Sequence, residues 1–193
     1  MIRALAVAFL LAGPAVAGGI VSSVDIASLA KSQATPLGLY LLPRDAHAAL
    51  AADPSIVFID VRDPVEVSFV GHAGPMDANV PLAVASRAFN PKAGAYRMEP
   101  NARFVAEVDA LMAREGKGKG DPVFLICRSG SRSARGVELL AAAGYTNVWN
   151  LVEGFEGDAD EKTGARSLNG WRNAGLPWGY KLNEAQAWSP AVE

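Results

Sequence analysis

The chain has 193 residues, with 18 basic and 20 acidic side chains and a formal net charge of −2. This length allows one domain of ordinary size once the two ends are set aside. A nearly neutral balance, with no basic stripe interleaved with aromatic residues, argues against a nucleic-acid surface.

The first residues have the layout of a secretory signal. Arg3 precedes an apolar stretch over residues 4–12, Gly13 and Pro14 interrupt it, and Ala15-Val16-Ala17 has the small residues of a cleavage site. We predict a cleaved signal peptide.

The predicted signal peptide covers residues 1–17, with cleavage after Ala17. The mature protein would then be periplasmic or secreted and would have no membrane span. The alternative is an uncleaved membrane anchor over residues 4–21, which Pro14 and the small residues around it disfavour.

Residues 18–37 form an N-terminal lead or linker, for which the sequence predicts no function. The predicted domain covers residues 38–180, and residues 181–193 form a C-terminal tail. The domain begins with a short strand, a helix that opens with proline, and a continuous apolar strand, predicted over residues 39–42, 43–50 and 55–60.

Further along the chain, helical and strand patterns alternate. Helices are predicted over residues 101–115 and 133–143, and strands over residues 122–126 and 147–152. Gly144 is the predicted stop of the second helix. This alternation predicts an α/β fold with a central, mostly parallel sheet of about five strands, flanked by helices on both faces. Ligands of such folds bind beyond the carboxyl ends of the strands.

Cys127 is the only cysteine, and it follows the strand over residues 122–126 directly. The loop reads Cys127-Arg128-Ser129-Gly130-Ser131-Arg132, and a helix comes next. A thiolate is the reactive form of cysteine, so a reactive site must favour the anion. Backbone amides at the helix start, the helix dipole and two arginines would all do so.

A buried structural cysteine is the competing interpretation, because free cysteines are among the most buried residues. In an exported protein a lone cysteine cannot form a disulfide within its own chain, so it is either inert through burial or kept for chemistry. The strand before Cys127 and the Arg/Gly/Ser loop after it favour a reactive thiol in partly open surroundings.

Three stretches of the sequence together resemble the rhodanese-like sulfurtransferases, specifically the single-domain thiosulfate sulfurtransferase family. The resemblance extends over about residues 39–178 and includes short glycine, proline and tryptophan motifs near the end. The stretches are Ile59-Asp60-Val61-Arg62-Asp63-Pro64-Val65-Glu66 with Gly71-His72 and Asn79-Val80-Pro81, the cysteine loop, and residues 144–155 with Gly170-Trp171 and Gly175-Leu176-Pro177.

The resemblance implies a rhodanese-like fold and a persulfide cycle without a cofactor. Cys127 would be the catalytic sulfur carrier, taking sulfur from a small anionic donor such as thiosulfate. The acceptor would be a thiol, a cyanide-like nucleophile or an acceptor protein. The residues expected to bind substrate through amides and guanidinium groups are Arg128, Ser129, Gly130, Ser131, Arg132 and Ser133.

Asp60 and Arg62 match the Asp-x-Arg element of the family and are expected to support the loop from the neighbouring strand. Asp60 would pair with Arg62 or with a loop arginine. In the alternative interpretation, which we weigh equally, Asp60 only caps the segment around Pro64.

Neither histidine is expected to take part in the chemistry. We predict that His72 is structural and hydrogen-bonded, and that His47 lies on a surface helix without a role. No second histidine or cysteine lies at metal-ligand spacing, so no metal site is predicted.

The sequence departs from the family pattern in three segments. The segment of residues 73–78 is about one residue longer than the corresponding segment of the family pattern. Residues 158–169 form a charged insertion before an expected last helix. Residues 91–100 form a further insert, which is expected to be irregular. The last two segments could select the acceptor.

Two other functions remain open. Cysteine-dependent phosphatases resemble Cys-x5-Arg, whereas Arg132 follows Cys127 after four residues, which gives a ring suited to sulfur rather than to a phosphoryl group. A non-catalytic binding or redox-sensing domain would keep the fold without the chemistry, but the intact cysteine argues against it.

Overall fold

The computed structural model describes residues 19–189. The predicted signal peptide therefore lies outside the described residues. The helices are α1 Pro43–Ala52, α2 Pro64–Val70, α3 Phe104–Arg114 and α4 Ser131–Ala142. The strands are β1 Tyr40–Leu41, β2 Val57–Asp60, β3 His72–Ala73, β4 Ala78–Asn79, β5 Ala83–Asn90, β6 Ala95–Pro100, β7 Val123–Ile126, β8 Val148–Leu151 and β9 Trp178–Gly179.

The central sheet has five parallel strands in the order β1-β8-β7-β2-β4. Its middle strand, β7, pairs with β2 over four residues, from Val57 opposite Val123 to Asp60 opposite Ile126. The predicted fold class is confirmed. Because all five strands run in one direction, the residues that follow β2, β7 and β8 meet at one edge of the sheet.

Both faces of the sheet are covered by helices, as predicted. Val57 and Ile59 of β2 belong to a core cluster with residues of α3 and α4. Phe58 points the other way and belongs to a second cluster with residues of α1 and α2. Burial on both faces explains why the central strands read as continuous apolar runs rather than as alternating ones.

The insert over residues 91–100 is not irregular, and this prediction was wrong. β5 and β6 form an antiparallel hairpin in which Phe89 pairs with Tyr96, their ring centroids 6.4 Å apart. The turn between the strands contains Gly94 with a positive φ of 61°. β6 is exposed along its whole length, so no buried face imposes the apolar alternation by which a strand is recognised.

The charged insertion over residues 158–169 is mostly exposed and contains a single isolated bridge between Ala159 and Arg166. The last helix expected after it is absent from the described structure, because residues 171–175 form turns. Only four residues lie between Gly170 and Gly175, which both have a positive φ, and this is too few for a stable helix. Trp171 is nevertheless fully buried and anchors this segment in the core.

The residues around the departure at 73–78 have a defined structure. Met76 is buried, and Asp77 exchanges hydrogen bonds with Phe58 of β2 through its backbone amide and its carboxylate. The extra length is therefore absorbed in a turn between β3 and β4, where it extends the edge of the central sheet.

The N-terminal lead contains two short 3-10 turns, and the second of them, Lys31–Gln33, lies against α4. We call residues 31–33 the strap. At the other end, Gln186 bonds Met76 and Asn79 near β4. No helix within residues 19–189 combines the length and the apolar character needed to cross a bilayer.

Candidate functional site

Cys127 follows the central strand β7, and α4 begins four residues later at Ser131. The helix starts slightly earlier than the predicted residue 133, so Ser131 and Arg132 belong to its first turn. Gly130 is the residue before the helix and has a left-handed backbone, with φ 93° and ψ −20°. The chain thus passes from strand to helix through four residues, 127–130.

One backbone amide donates to the sulfur of Cys127, and one hydroxyl lies close to it. The backbone amide of Gly130 lies 3.2 Å from Sγ, and the hydroxyl of Ser133 lies 3.3 Å from it. The prediction that an amide of this loop points at the sulfur is therefore confirmed for Gly130. The side chain of Ser133 lies beside the sulfur and is fully buried.

The prediction of partly open surroundings was wrong, because Cys127 is only 1% exposed. The residue belongs to the core cluster on the α3 and α4 face of the sheet. On its remaining sides it is enclosed by the loop and by the first turn of α4. The sulfur is thus buried but not wholly in hydrocarbon, since it accepts from the Gly130 amide and lies beside the Ser133 hydroxyl.

Several backbone amides of the loop and of the first turn of α4 have no hydrogen-bond acceptor within residues 19–189. The backbone N–H groups of Arg128, Ser129, Ser131, Arg132 and Ser133 donate to no acceptor among residues 19–189. Those of α4 are the unpaired donors that every helix has at its start. Together with the helix dipole they favour negative charge at this end of α4.

The segment that follows β8 supports the loop from behind. The amide of Phe155 donates to the carbonyl oxygen of Cys127 at 2.8 Å, and the amide of Glu156 donates to that of Arg128 at 3.0 Å. The two segments approach so closely that a Cβ on Gly130 would collide with the carbonyl oxygen of Val152. Gly130 is therefore required both for its backbone angle and for its lack of a side chain.

The two arginines of the loop have different environments. Arg128 is exposed, and its guanidinium forms no ion pair with any residue in the range 19–189. Arg132 is largely buried and binds Glu66 of α2 through two hydrogen bonds of 2.5 and 2.7 Å. The structure therefore offers Arg128, rather than Arg132, as the cation available to a solute.

The contact between Glu66 and Arg132 shifts the pKa of both side chains. Burial alone would raise the pKa of the Glu66 carboxyl, but the hydrogen bond and charge of Arg132 outweigh burial and hold that pKa below its ordinary value. Burial alone would lower the pKa of Arg132, and Glu66 raises it. Both groups therefore stay charged around neutral pH.

Asp60 and Arg62 form a fully buried ion pair beside the cysteine loop. The shortest contact, between Nη2 of Arg62 and Oδ2 of Asp60, is 2.6 Å, and Nε adds contacts of 3.0 Å to both carboxylate oxygens. Burial would lower the pKa of Arg62, but Asp60 raises it. Asp60 lies opposite Ile126, the residue before Cys127, so the pair fixes the strand end next to the loop.

Further contacts hold the Arg62 side chain. Its guanidinium donates to the carbonyl oxygen of Gly71 at 2.7 Å and lies over the ring of Phe155, 4.4 Å from the centroid. Within the described residues its Nη1 is buried without a hydrogen-bond partner. Phe155 also bonds Cys127, so Arg62 contacts the segment that supports the loop.

The alternative role of Asp60, capping the segment around Pro64, is filled by Asp63. The carboxylate of Asp63 accepts from the amide of Val65 at 2.7 Å, and Glu66 completes the capping box. The second carboxylate oxygen of Asp63 accepts from the backbone amide of Ala85 at the base of the hairpin. The pairing of Asp60 with Arg62 is thus the interpretation that the structure supports.

His72 is buried, and its ring nitrogens contact the carbonyl oxygens of Ala73 and Lys181 at 2.9 and 3.1 Å. This confirms its structural role. His47 is partly buried and packs edge-on against Trp171. No group of three or more potential metal ligands occurs between residues 19 and 189.

A chain of polar groups behind the sulfur was not predicted from the sequence. The Ser133 hydroxyl lies 2.6 Å from Oδ1 of Asn150, and Nδ2 of Asn150 donates to the carbonyl oxygen of Gln33 in the strap at 3.1 Å. Asn150 is fully buried in β8. Asn150 could have been noticed in the sequence, because it is a polar residue within a strand that is covered on both faces. Gln33 has no such distinguishing feature.

An apolar cavity lies between the base of the hairpin and the outer face of α4, away from the cysteine loop. Leu82 and Ala83 line it on the hairpin side, and Arg135 and Leu139 line it on α4. None of its lining residues belongs to the loop from Cys127 to Ser133.

A family model described as rhodanese-like domain matches residues 43–161. An uncharacterized protein of Rickettsia prowazekii is 38% identical over 58 residues, which are 30% of this chain and 42% of that protein. The chain thus spans less than half of that relative's length.

Two solved structures are similar to the chain. The crystal structure of Rv0390 from M. tuberculosis is 32% identical with a TM-score of 0.57, covering 74% of this chain and 97% of that one. The thiosulfate sulfurtransferase from Pseudomonas aeruginosa has a TM-score of 0.50 and 18% identity, covering 80% of this chain and 22% of that one. At this identity the second likeness shows the fold alone.

We predict that G130A distorts the cysteine loop. The substitution combines a strained left-handed φ with a collision at Val152, and should lower the free energy of unfolding by roughly 2 to 4 kcal/mol. Urea unfolding measures this loss. The control is G164A, which has a similar φ of 71° but no atom within 4 Å, and should cost about 1 kcal/mol. Equal losses in the two variants would contradict the close packing of the loop.

We also predict a pH-dependent contribution of Glu66 to stability. Its folded pKa lies below the unfolded one, so the stabilisation is present above about pH 4.5 and is lost as the pH falls through the folded pKa. E66Q should therefore be less stable than the wild type by roughly 1 kcal/mol at neutral pH, with the difference shrinking in acid. Urea unfolding over a pH series measures it. E138Q, which removes an exposed pair, is the control, and a pH-independent difference for E66Q would contradict the assignment.

Proposed function

Because the chain belongs to the rhodanese-like domain family, we propose that Cys127 carries a sulfane sulfur from a small anionic donor to a nucleophilic acceptor. Thiosulfate is the donor that we propose. The observation that carries the proposal is the position of the only cysteine, at the end of the central strand and at the start of α4, with a backbone amide donating to its sulfur.

The reaction proposed needs no external oxidant, reductant or cofactor. The Cys127 thiolate attacks the outer sulfur of thiosulfate, the sulfur–sulfur bond of the donor breaks, and sulfite leaves with the electron pair. The product is a persulfide anion on Cys127. An acceptor thiolate or cyanide then attacks the terminal sulfur, the new bond breaks, and the thiolate returns to Cys127 with its electron pair.

The free amides of the loop support this cycle. The negative charge moves one atom outward when the persulfide forms, so donors placed around the first sulfur alone would not stabilise both states. Five loop residues, 128, 129 and 131–133, have amides without an acceptor among the described residues. Preorganised donors of this kind stabilise developing charge without reorganisation, so no separate acid or base is required.

Arg128 is the residue that we propose to dock the anionic donor. Its guanidinium is exposed and can bind two oxygens of a sulfonate-like group at once. Arg132 would act at longer range, since Glu66 already occupies its guanidinium. Asp60 and Arg62 would keep the adjacent strand end and the supporting segment in place.

The burial of Cys127 sets a condition on this mechanism. A residue that is 1% exposed is reached by a donor only when the loop or the strap moves aside. The proposed reaction therefore includes an opening step before sulfur transfer.

The first prediction from this proposal concerns the persulfide itself. Exposure of the purified protein to thiosulfate should add the mass of one sulfur atom at Cys127, and a thiol should remove it. Intact-protein mass spectrometry measures both changes. C127S, which keeps nearly the same shape, is the control and should gain nothing. Absence of the adduct in the wild type, together with hydrolysis of a phosphoester, would refute sulfur transfer and favour a phosphatase.

We further propose that the protein is exported and cleaved after Ala17. The arrangement of Arg3, the apolar stretch and Ala15-Val16-Ala17 supports this proposal. The intact mass of the protein isolated from expressing cells should correspond to a chain that begins at Gly18. A chain that begins at Met1 would contradict cleavage, and A17F, which blocks the small-residue position, should retain the leader.

A further inference from the structure

Gln33 of the strap contacts the cysteine loop directly. Its side-chain amide donates to the carbonyl oxygen of Ser129 at 3.0 Å and to that of Val152 at 2.7 Å. One NH2 group therefore connects the loop after β7 to the end of β8. Gln33 lies outside residues 43–161, the part of the chain that the family model matches.

The bond to Ser129 orients the peptide group that contacts the sulfur. The carbonyl oxygen of Ser129 and the amide of Gly130 belong to the same peptide group, which is trans. In a trans peptide the C=O and N–H bonds point in opposite directions. When Gln33 holds the oxygen on one side, the N–H is directed to the other side, where it meets Sγ of Cys127 at 3.2 Å.

The bond to Val152 fixes the distance between the loop and β8. This carbonyl oxygen is the atom that a Cβ on Gly130 would strike, so the two segments lie close together here. Both carbonyl groups point towards Gln33 and would repel each other without a donor between them. The side-chain amide of Gln33 supplies that donor to both carbonyl oxygens.

The Ser133 hydroxyl, which lies beside the sulfur, is also connected to Gln33. The backbone carbonyl oxygen of Gln33 accepts from Nδ2 of Asn150, whose Oδ1 lies 2.6 Å from the Ser133 hydroxyl. The carbonyl of Gln33 thus determines which end of the Asn150 amide faces Ser133, because two acceptors cannot face each other. The hydroxyl of Ser133 in turn lies 3.3 Å from the sulfur.

We propose that Gln33 is a positioning residue for Cys127, acting through the Ser129–Gly130 peptide group to hold an N–H donor against the sulfur. The consequence of this positioning for sulfur transfer rests on the proposed function. The effect of Gln33 on the Cys127 thiolate does not. Removal of the side-chain donor leaves the peptide group free to turn, so the anion loses a hydrogen bond while the thiol loses little.

The test compares Q33M with the wild type in the full mature chain. Methionine keeps the length of the side chain and removes its donor, and the backbone bond to Asn150 remains. K31M is the control, because Lys31 is an exposed neighbour in the strap that forms no hydrogen bond or ion pair among the described residues. Cys127 is the only cysteine, so the rate of alkylation by iodoacetamide reports on it alone.

Q33M should move the pH midpoint of alkylation upward by roughly half a unit to one unit, which is about a three- to tenfold lower rate in mild acid. K31M should match the wild type. Thermal unfolding shows whether each variant is folded, and hydrogen exchange of the Gly130 amide should be faster in Q33M alone. An unchanged pH profile and unchanged Gly130 exchange in folded Q33M would overturn the proposal. Because alkylation needs no sulfur donor, a failure of persulfide formation in the wild type would refute the proposed function and leave this result standing.

Discussion

The hydrogen bond from the Gly130 amide to the Cys127 sulfur depends on the backbone at the junction between β7 and α4. A left-handed glycine turns the chain from the central strand into the helix within four residues, and this turn directs an amide back at the sulfur. Hydrogen bonds to a charged partner contribute about 1.5 to 3 kcal/mol each, so a few donors suffice to favour the anion. The contacts of Val152, Phe155 and Gln33 serve to hold this short loop in one shape.

The positive charges near the loop are distributed unequally. Asp60 forms an ion pair with the buried Arg62, and Glu66 forms one with Arg132. Arg128 has no such partner among the described residues and is exposed to solutes. A buried cation without a partner would cost several kcal/mol, so the two pairs are the condition for placing arginines in this region at all. Arg62 and Arg132 therefore connect neighbouring elements of the fold, and the exposed guanidinium of Arg128 is available to an anionic donor.

Much of the fold could be predicted from the sequence, because strands covered on both faces read as apolar runs and Gly144 ends α4 with a positive φ. The position of Cys127 followed from the same pattern. Its burial did not, since the sulfur is enclosed by packing of the core, the loop and the first turn of α4, which no local pattern reveals. The strap is distant in sequence and has no distinctive composition. Gln33 was missed for that reason, and the β5–β6 hairpin was missed because an exposed strand shows no apolar alternation. The pairing of Arg132 with Glu66 requires the packing of α2 against α4, which no local pattern reveals.

The most direct test of the account is a crystal structure of the protein after reaction with thiosulfate, with the added sulfur located by its anomalous scattering. The account predicts a second sulfur bonded to Sγ of Cys127 and lying within hydrogen-bond distance of loop amides between Arg128 and Ser133. An added sulfur that points into the apolar core, away from these amides, would contradict it. So would a structure in which Cys127 stays unmodified while the loop is open to the donor.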